Sequence, residues 1–149
     1  MTPKIHICLV LWLVAALALP KAEACTNILV AKGASVDGST MLSYSVDSHE
    51  LYGDLRLRPA GKHAPGSKRI VTERISGKIL GEIDEAPETY AVVGNMNEYQ
   101  VSIGETTFGG REELVDPEGL IDWNSFIQIG LERGKTARQA MLAVVDVLN

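Results

Sequence analysis

Cys25 follows the triplet Ala22-Glu23-Ala24 and opens the segment CTNILVAKGASVDGS. A cysteine in that place can do chemistry that an internal cysteine cannot. If the chain is cut after Ala24, the thiol and a free α-amino group belong to one residue, and nucleophile and base are tethered together. A cysteine thiol ordinarily titrates at about 8.5 and an α-amino group at about 7.7 to 8. The amine can therefore take the thiol proton, directly or through one water, with no histidine. The competing arrangement is a thiol protease pairing Cys25 with His49 or His63; it accounts for the cysteine but not for its place behind an A-x-A. Both histidines lie in polar, loop-like surroundings.

The residues before Cys25 supply the cut. Met1 to Lys4 is a short basic start, Ile7 to Leu19 is an apolar run of 13 residues, Pro20 breaks it, and small residues stand at 22 and 24. This is the pattern of a secretory signal peptide over residues 1–24. The run is too short for a membrane span, which needs roughly 20 residues, so no stable membrane anchor is expected after cleavage. A bacterial lipidation site would want an aliphatic residue where Ala22 stands. Cys8 leaves with the segment, so residues 25–149 carry a single cysteine in a disulfide-permissive route, which argues against a disulfide framework. The expected compartment is extracellular, periplasmic or lysosomal.

Removing Lys4, Lys21 and Glu23 with that segment takes 14 basic and 19 acidic residues to 12 and 18, a formal charge of −6. With no basic cluster longer than Lys68-Arg69, nucleic acid is not an expected partner. The sequence holds no GxGxxG, P-loop, CxxC or HExxH, so no cofactor and no metal site is expected.

The elements that must position Cys25 change character once along the chain. Thr26 to Ala31 and Thr40 to Val46 read as two strands of a hairpin around Asp37-Gly38, which puts Cys25 at the end of a sheet. Residues 54–58 alternate, 59–67 read as a loop, 68–84 as two short strands broken near Gly77, and Tyr90 to Val93 as a buried strand partnered by Val101 to Phe108. From residue 122 the period is helical. Asp122 can cap a helix ending at Gly134, and Thr136 a second one whose apolar positions are Ala137, Ala140, Met141, Val144, Val145 and Leu148. Trp123, Phe126 and the Met141 stripe are expected in the core. A sheet followed by two amphipathic helices is an α+β layered domain.

CTNILVAKGASVDGS, YSVDSHELYGDL, TYAVVGNMNEYQVSIGETTFGGREEL and GLIDWNSFIQIGLERGKTARQAM together resemble the dipeptidase A type of N-terminal-nucleophile cysteine peptidases, peptidase family C69. That family is grouped with the secernins and, more distantly, with penicillin V and bile-salt acylases. The resemblance spans nearly all of residues 25–147. It implies an αββα sandwich, cofactor-free hydrolysis of dipeptides, and a nucleophile exposed by N-terminal processing. Cys25 matches the nucleophile. Asp47 matches the acidic residue that holds the amino terminus in place, and Asn97 the asparagine whose amide helps form an oxyanion hole. Where the acylases carry an arginine three residues before the aspartate, this chain has Tyr44.

Bland readings stand beside these. Asp47 can form an Asx turn at a strand end, Asn97 can be a turn residue, and Glu105-Thr106-Thr107 can line a cleft or decorate a strand. Family members are several times longer, so residues 25–149 are expected to be the N-terminal portion of the sandwich, with apolar faces that favour association, homo-oligomers included. An inactive fragment, a non-enzymatic secreted module, or an amidase acting on non-peptide amides are the functional alternatives to a dipeptidase.

Overall fold

The computed structural model describes residues 25–48, 53, 55–106 and 110–148. Residues 1–24, read above as a signal segment, and His49, Thr107 and Phe108 lie outside the described residues.

β1 (Thr26–Val30) and β2 (Met41–Ser45) form the expected antiparallel hairpin, with Thr26 opposite Ser45, Asn27 opposite Tyr44 and Val30 opposite Met41. Their β-branched and aliphatic content suits a half-exposed pleat. Asp37-Gly38 is not a two-residue turn but one bend within the longer connection 31–40. There Ser39 N donates to Asp37 Oδ1 at 3.0 Å, and Gly38 takes the positive φ of 76°.

Seven further strands follow: β3 (Leu57–Arg58), β4 (Gly61–Lys62), β5 (Lys68–Thr72), β6 (Ile79–Asp84), β7 (Glu88–Thr89), β8 (Val92–Val93) and β9 (Met96–Asn97). β5 and β6 are the pair anticipated around Gly77. β4 lies within the stretch read as a loop and pairs with β7, while β8 lies between β3 and β9. The partner of β8 also differs from expectation. The chain reverses at Gly94-Asn95, so Met96–Asn97 takes the place assigned to Val101–Phe108, and Ser102 returns to bridge Met96. Asn97 causes this local fold: its Oδ1 accepts the N–H groups of Tyr99 and Val101, both at 3.0 Å, and closes a second turn immediately after β9.

α1 (Trp123–Arg133) and α2 (Ala137–Leu148) occupy the expected spans. Asp122 Oδ1 accepts from Ser125 N at 2.8 Å and Thr136 Oγ1 from Gln139 N at 3.3 Å, so both helices carry the side-chain caps that their sequences call for. Gly134 is required by packing. A Cβ there would sit 2.3 Å from Ala140 N, so any side chain would force the helices apart.

Two apolar clusters hold the structure. Val92, Val101, Ile127, Leu131 and Ala140 form one, and Val71, Ile83, Ile129 and Val144 the other. Each joins strand, α1 and α2 residues, and each fully buried side chain contributes roughly 1.5–3 kcal/mol relative to an exposed one. The expected core is corrected here. Trp123 is 37 % exposed, Phe126 44 % and Met141 69 %, whereas Ala140 and Val144 are the residues of α2 that bury. The second half of α1 is enclosed between strands and α2, so its buried residues follow those two surfaces rather than the single stripe read from the sequence.

The architecture is mixed α and β, in agreement with an α+β class. Among the described residues the strands form four small sheets of two or three strands, not two extended stacked sheets. No described helix is long and apolar enough to cross a membrane.

Candidate active site

Side chains alternate across a strand and face their partners across an antiparallel pair. Cys25, Asn27 and Tyr44 therefore share one face of the β1–β2 hairpin, with Leu42 beside them. The segment 103–106 lies across this face because residue 104 is glycine: a Cβ at Gly104 would come within 2.8 Å of Asn27 Oδ1 and 3.2 Å of Leu42 Cδ1. Two hydrogen bonds fix the crossing. Asn27 Nδ2 donates to the Glu105 carbonyl at 2.6 Å, and Thr106 Oγ1 donates to the Cys25 carbonyl at 3.0 Å.

The crossing delivers Glu105 to the thiol. Cys25 Sγ donates to Glu105 Oε2 at 3.7 Å, and the Tyr44 hydroxyl donates to the same oxygen at 2.8 Å. Burial, and then the adjacent Glu105 carboxylate, push the Tyr44 hydroxyl well above the ordinary tyrosine value, so it remains a proton donor. A thiol, a carboxylate that accepts its S–H hydrogen bond and a phenol that bonds the same carboxylate oxygen thus form one chain of contacts.

Asp47 lies at the same end of the hairpin but is linked through the opposite face. Its Oδ2 accepts from Thr26 Oγ1 at 2.8 Å and its Oδ1 from Ser45 Oγ at 3.1 Å. It is thereby tied to the residue next to Cys25.

Asn97 requires correction. It is 4 % exposed, and its two amide hydrogens are spent on the carbonyls of Leu131 at 2.8 Å and Gly134 at 2.7 Å. With Oδ1 accepting from Tyr99 and Val101, the side chain joins the β9 turn to the end of α1 and has no hydrogen left for an oxyanion. His63 is not part of the Cys25 cluster either; its Nε2 lies 3.0 Å from Thr89 Oγ1, beside the β4–β7 pair.

Two concavities adjoin the cluster. One, of about 400 Å³, is a largely apolar cleft lined by Ile103, Glu105, Trp123 and Phe126. It explains the exposure of the two aromatics. The other, of about 160 Å³, includes Tyr44, Trp123, Gln128 and three arginines in its lining. Among the described residues no group of three or more His, Cys, Asp or Glu is placed to hold a metal ion.

The family model of peptidase family C69 matches residues 24–58 and 62–149. The chain belongs to peptidase family C69. Membership makes this C69 protein a hydrolase of the cysteine-peptidase type, and the match begins one residue before Cys25. No solved structure matches the chain.

Sequence reasoning leaves Glu105 undecided, treats Tyr44 only as a departure from the acylase pattern, and gives Asn27 no role. In this C69 chain Glu105 meets the thiol, Tyr44 meets the same Glu105 oxygen, and Asn27 holds the Glu105 backbone. The usable signal is the period of two through Cys25 and Asn27, which marks the face on which partners must lie.

Proposed function

We propose that the chain is a secreted cysteine dipeptidase whose nucleophile, Cys25, becomes the amino-terminal residue when residues 1–24 are removed. The observation that supports this best is the thiol directly before β1, 3.7 Å from Glu105 Oε2, in a chain of a cysteine-peptidase family. In the reaction the thiol proton passes to the α-amine, and sulfur forms a bond to the scissile carbonyl carbon as the carbonyl π pair moves to oxygen. Collapse of that adduct breaks the C–N bond, the leaving amine takes the proton from the ammonium, and a thioester remains. The amine then deprotonates a water that hydrolyses the thioester and restores the thiol. Glu105 orients the S–H, Tyr44 positions Glu105, and Asp47 steadies the hairpin end beside the new terminus.

N-terminal sequencing of secreted protein, with hydrolysis of Ala-Ala by wild type and Cys25→Ala, tests the reading. A terminus at Cys25 and loss of turnover in the variant are expected; a terminus elsewhere, or turnover that survives Cys25→Ala, overturns it. Cys25-dependent cleavage confined to non-peptide amides would replace the dipeptidase by an acylase. Changing His63 to Ala should leave the rate intact.

A further inference from the structure

The larger concavity shares a side chain with the thiol. Glu105 lines it and is also the residue whose Oε2 accepts from Cys25 Sγ at 3.7 Å, so the cleft begins one side chain away from the nucleophile. Most of its described wall is apolar. Ile103 packs against the core cluster of Val92 and Leu131, and Ile121 against that of Val71 and Ile129, which anchors both side chains. Trp123 and Phe126, three residues apart on one face of α1, complete the wall and remain 37 % and 44 % exposed.

Covering two partly exposed aromatic rings is favourable in proportion to the apolar area taken from water, so the cleft selects a group that is itself apolar. Covalent distance decides which part of a dipeptide supplies that group. In the thioester, sulfur is bonded to the carbonyl carbon of the acyl residue, and the side chain of that residue begins one bond closer to this carbon than the side chain of the leaving residue. The acyl residue is therefore the one whose side chain enters a cleft that begins at Glu105. Asp122 adds a second selection. Its carboxylate, held by the N–H groups of Ser125 at 2.8 Å and Arg74 at 3.0 Å, also lines the cleft, so an acidic side chain meets a like charge there.

We infer that this cleft is the subsite for the side chain of the substrate's N-terminal residue, with Trp123 and Phe126 selecting an apolar side chain and Asp122 disfavouring an acidic one. The inference rests on the dipeptidase reading and names its substrate class: dipeptides whose first residue is apolar.

The test begins with alkylation of Cys25, the one cysteine of residues 25–149, in the processed full chain. Labelling by N-hexyl iodoacetamide, followed by intact mass, should be at least about tenfold faster than labelling by iodoacetamide, because methylenes entering an apolar pocket add discrimination. Phe126→Gln and Trp123→Gln should each reduce that ratio to about threefold or less, and Phe126→Leu, which keeps the wall apolar, should retain it. Both aromatics are partly exposed, so neither substitution opens a hole in the core. In hydrolysis, Leu-Gly should exceed both Gly-Leu and Asp-Gly by at least about tenfold in kcat/KM. A labelling ratio near one, or Gly-Leu cleaved as fast as Leu-Gly, overturns the subsite. The two proposals fail separately. Equal cleavage of the three dipeptides with no labelling preference keeps the dipeptidase and loses the subsite, whereas hexyl-selective labelling that Phe126→Gln abolishes, without cleavage of any dipeptide, keeps the apolar site beside the thiol and loses the dipeptidase.

Discussion

Asn97 ends one strand, Cys25 precedes another, and both gather partners from distant parts of the chain, yet they are used in opposite ways. Asn97 is enclosed: two donors and one twice-used acceptor all end on backbone groups of the protein. The Cys25 corner is half-buried, and its members bond side chain to side chain, Sγ and the Tyr44 hydroxyl meeting at one Glu105 oxygen. An amide that satisfies buried backbone groups stabilises the fold, and nothing remains for a substrate. A thiol and carboxylate bordered by two concavities can be reached from outside. The difference teaches that an asparagine beside a strand in a catalytic family is not thereby catalytic; what its hydrogens already hold decides.

The sharpest test of this contrast is Cys25→Ala, which should abolish dipeptide hydrolysis, a loss of at least about 1000-fold in kcat, with a melting temperature within about 2 °C of wild type. Asn97→Ala should do the reverse. Several buried backbone groups lose their partners, which costs about 3 kcal/mol or more of stability, while the folded fraction keeps its kcat. A drop in kcat without a change in melting would return Asn97 to the site and break the comparison.

Glu105→Gln keeps the shape and removes the charge that orients the thiol. A fall of about 10- to 100-fold in kcat is expected, with KM and melting little changed; an unaltered rate would make Glu105 a bystander. A subtler effect comes from Tyr44. Its hydroxyl titrates above the ordinary tyrosine value, so folding favours the protonated form. That stabilisation is complete below about pH 10, the unfolded value, and is lost as pH rises through the raised one. Alkaline denaturant titrations should therefore show wild type losing stability more steeply than Tyr44→Phe above about pH 10, and parallel curves would remove the Tyr44–Glu105 bond from the account. The smallest effect belongs to Lys68→Ala. Lys68 pairs with Asp84 on the exposed rim of β5–β6, where ion pairs contribute little, so melting should shift by no more than about 1 °C.

The two helices, their caps and the first hairpin were legible in the sequence because each is fixed locally: Asp122 caps α1, Thr136 caps α2, and Gly134 ends α1. The pairing of β8 was not. Periodicity marked residues 101–108 as a strand but carries no information on register, and a single asparagine side chain redirected the turn. The core was half legible. Ala140 and Val144 stood in the α2 stripe, but Trp123 and Phe126 look like core by residue type and instead line a cleft, a distinction that depends on what faces them. In the site, position singles out Cys25 as a candidate but says nothing of Glu105, since nothing local links two residues 80 apart.

That separation also governs timing. The bonds that assemble the corner join residues 80, 78, 61 and 81 apart: Cys25 to Glu105, Asn27 to Glu105, Tyr44 to Glu105 and Thr106 to Cys25. Closing loops of such length is entropically slow and gains nothing until the far end arrives. During synthesis at about 5–20 residues per second, Cys25 precedes its carboxylate by roughly 4 to 16 seconds. The thiol is made early and gains its partners late, so on refolding, helical signal should return before catalytic competence does.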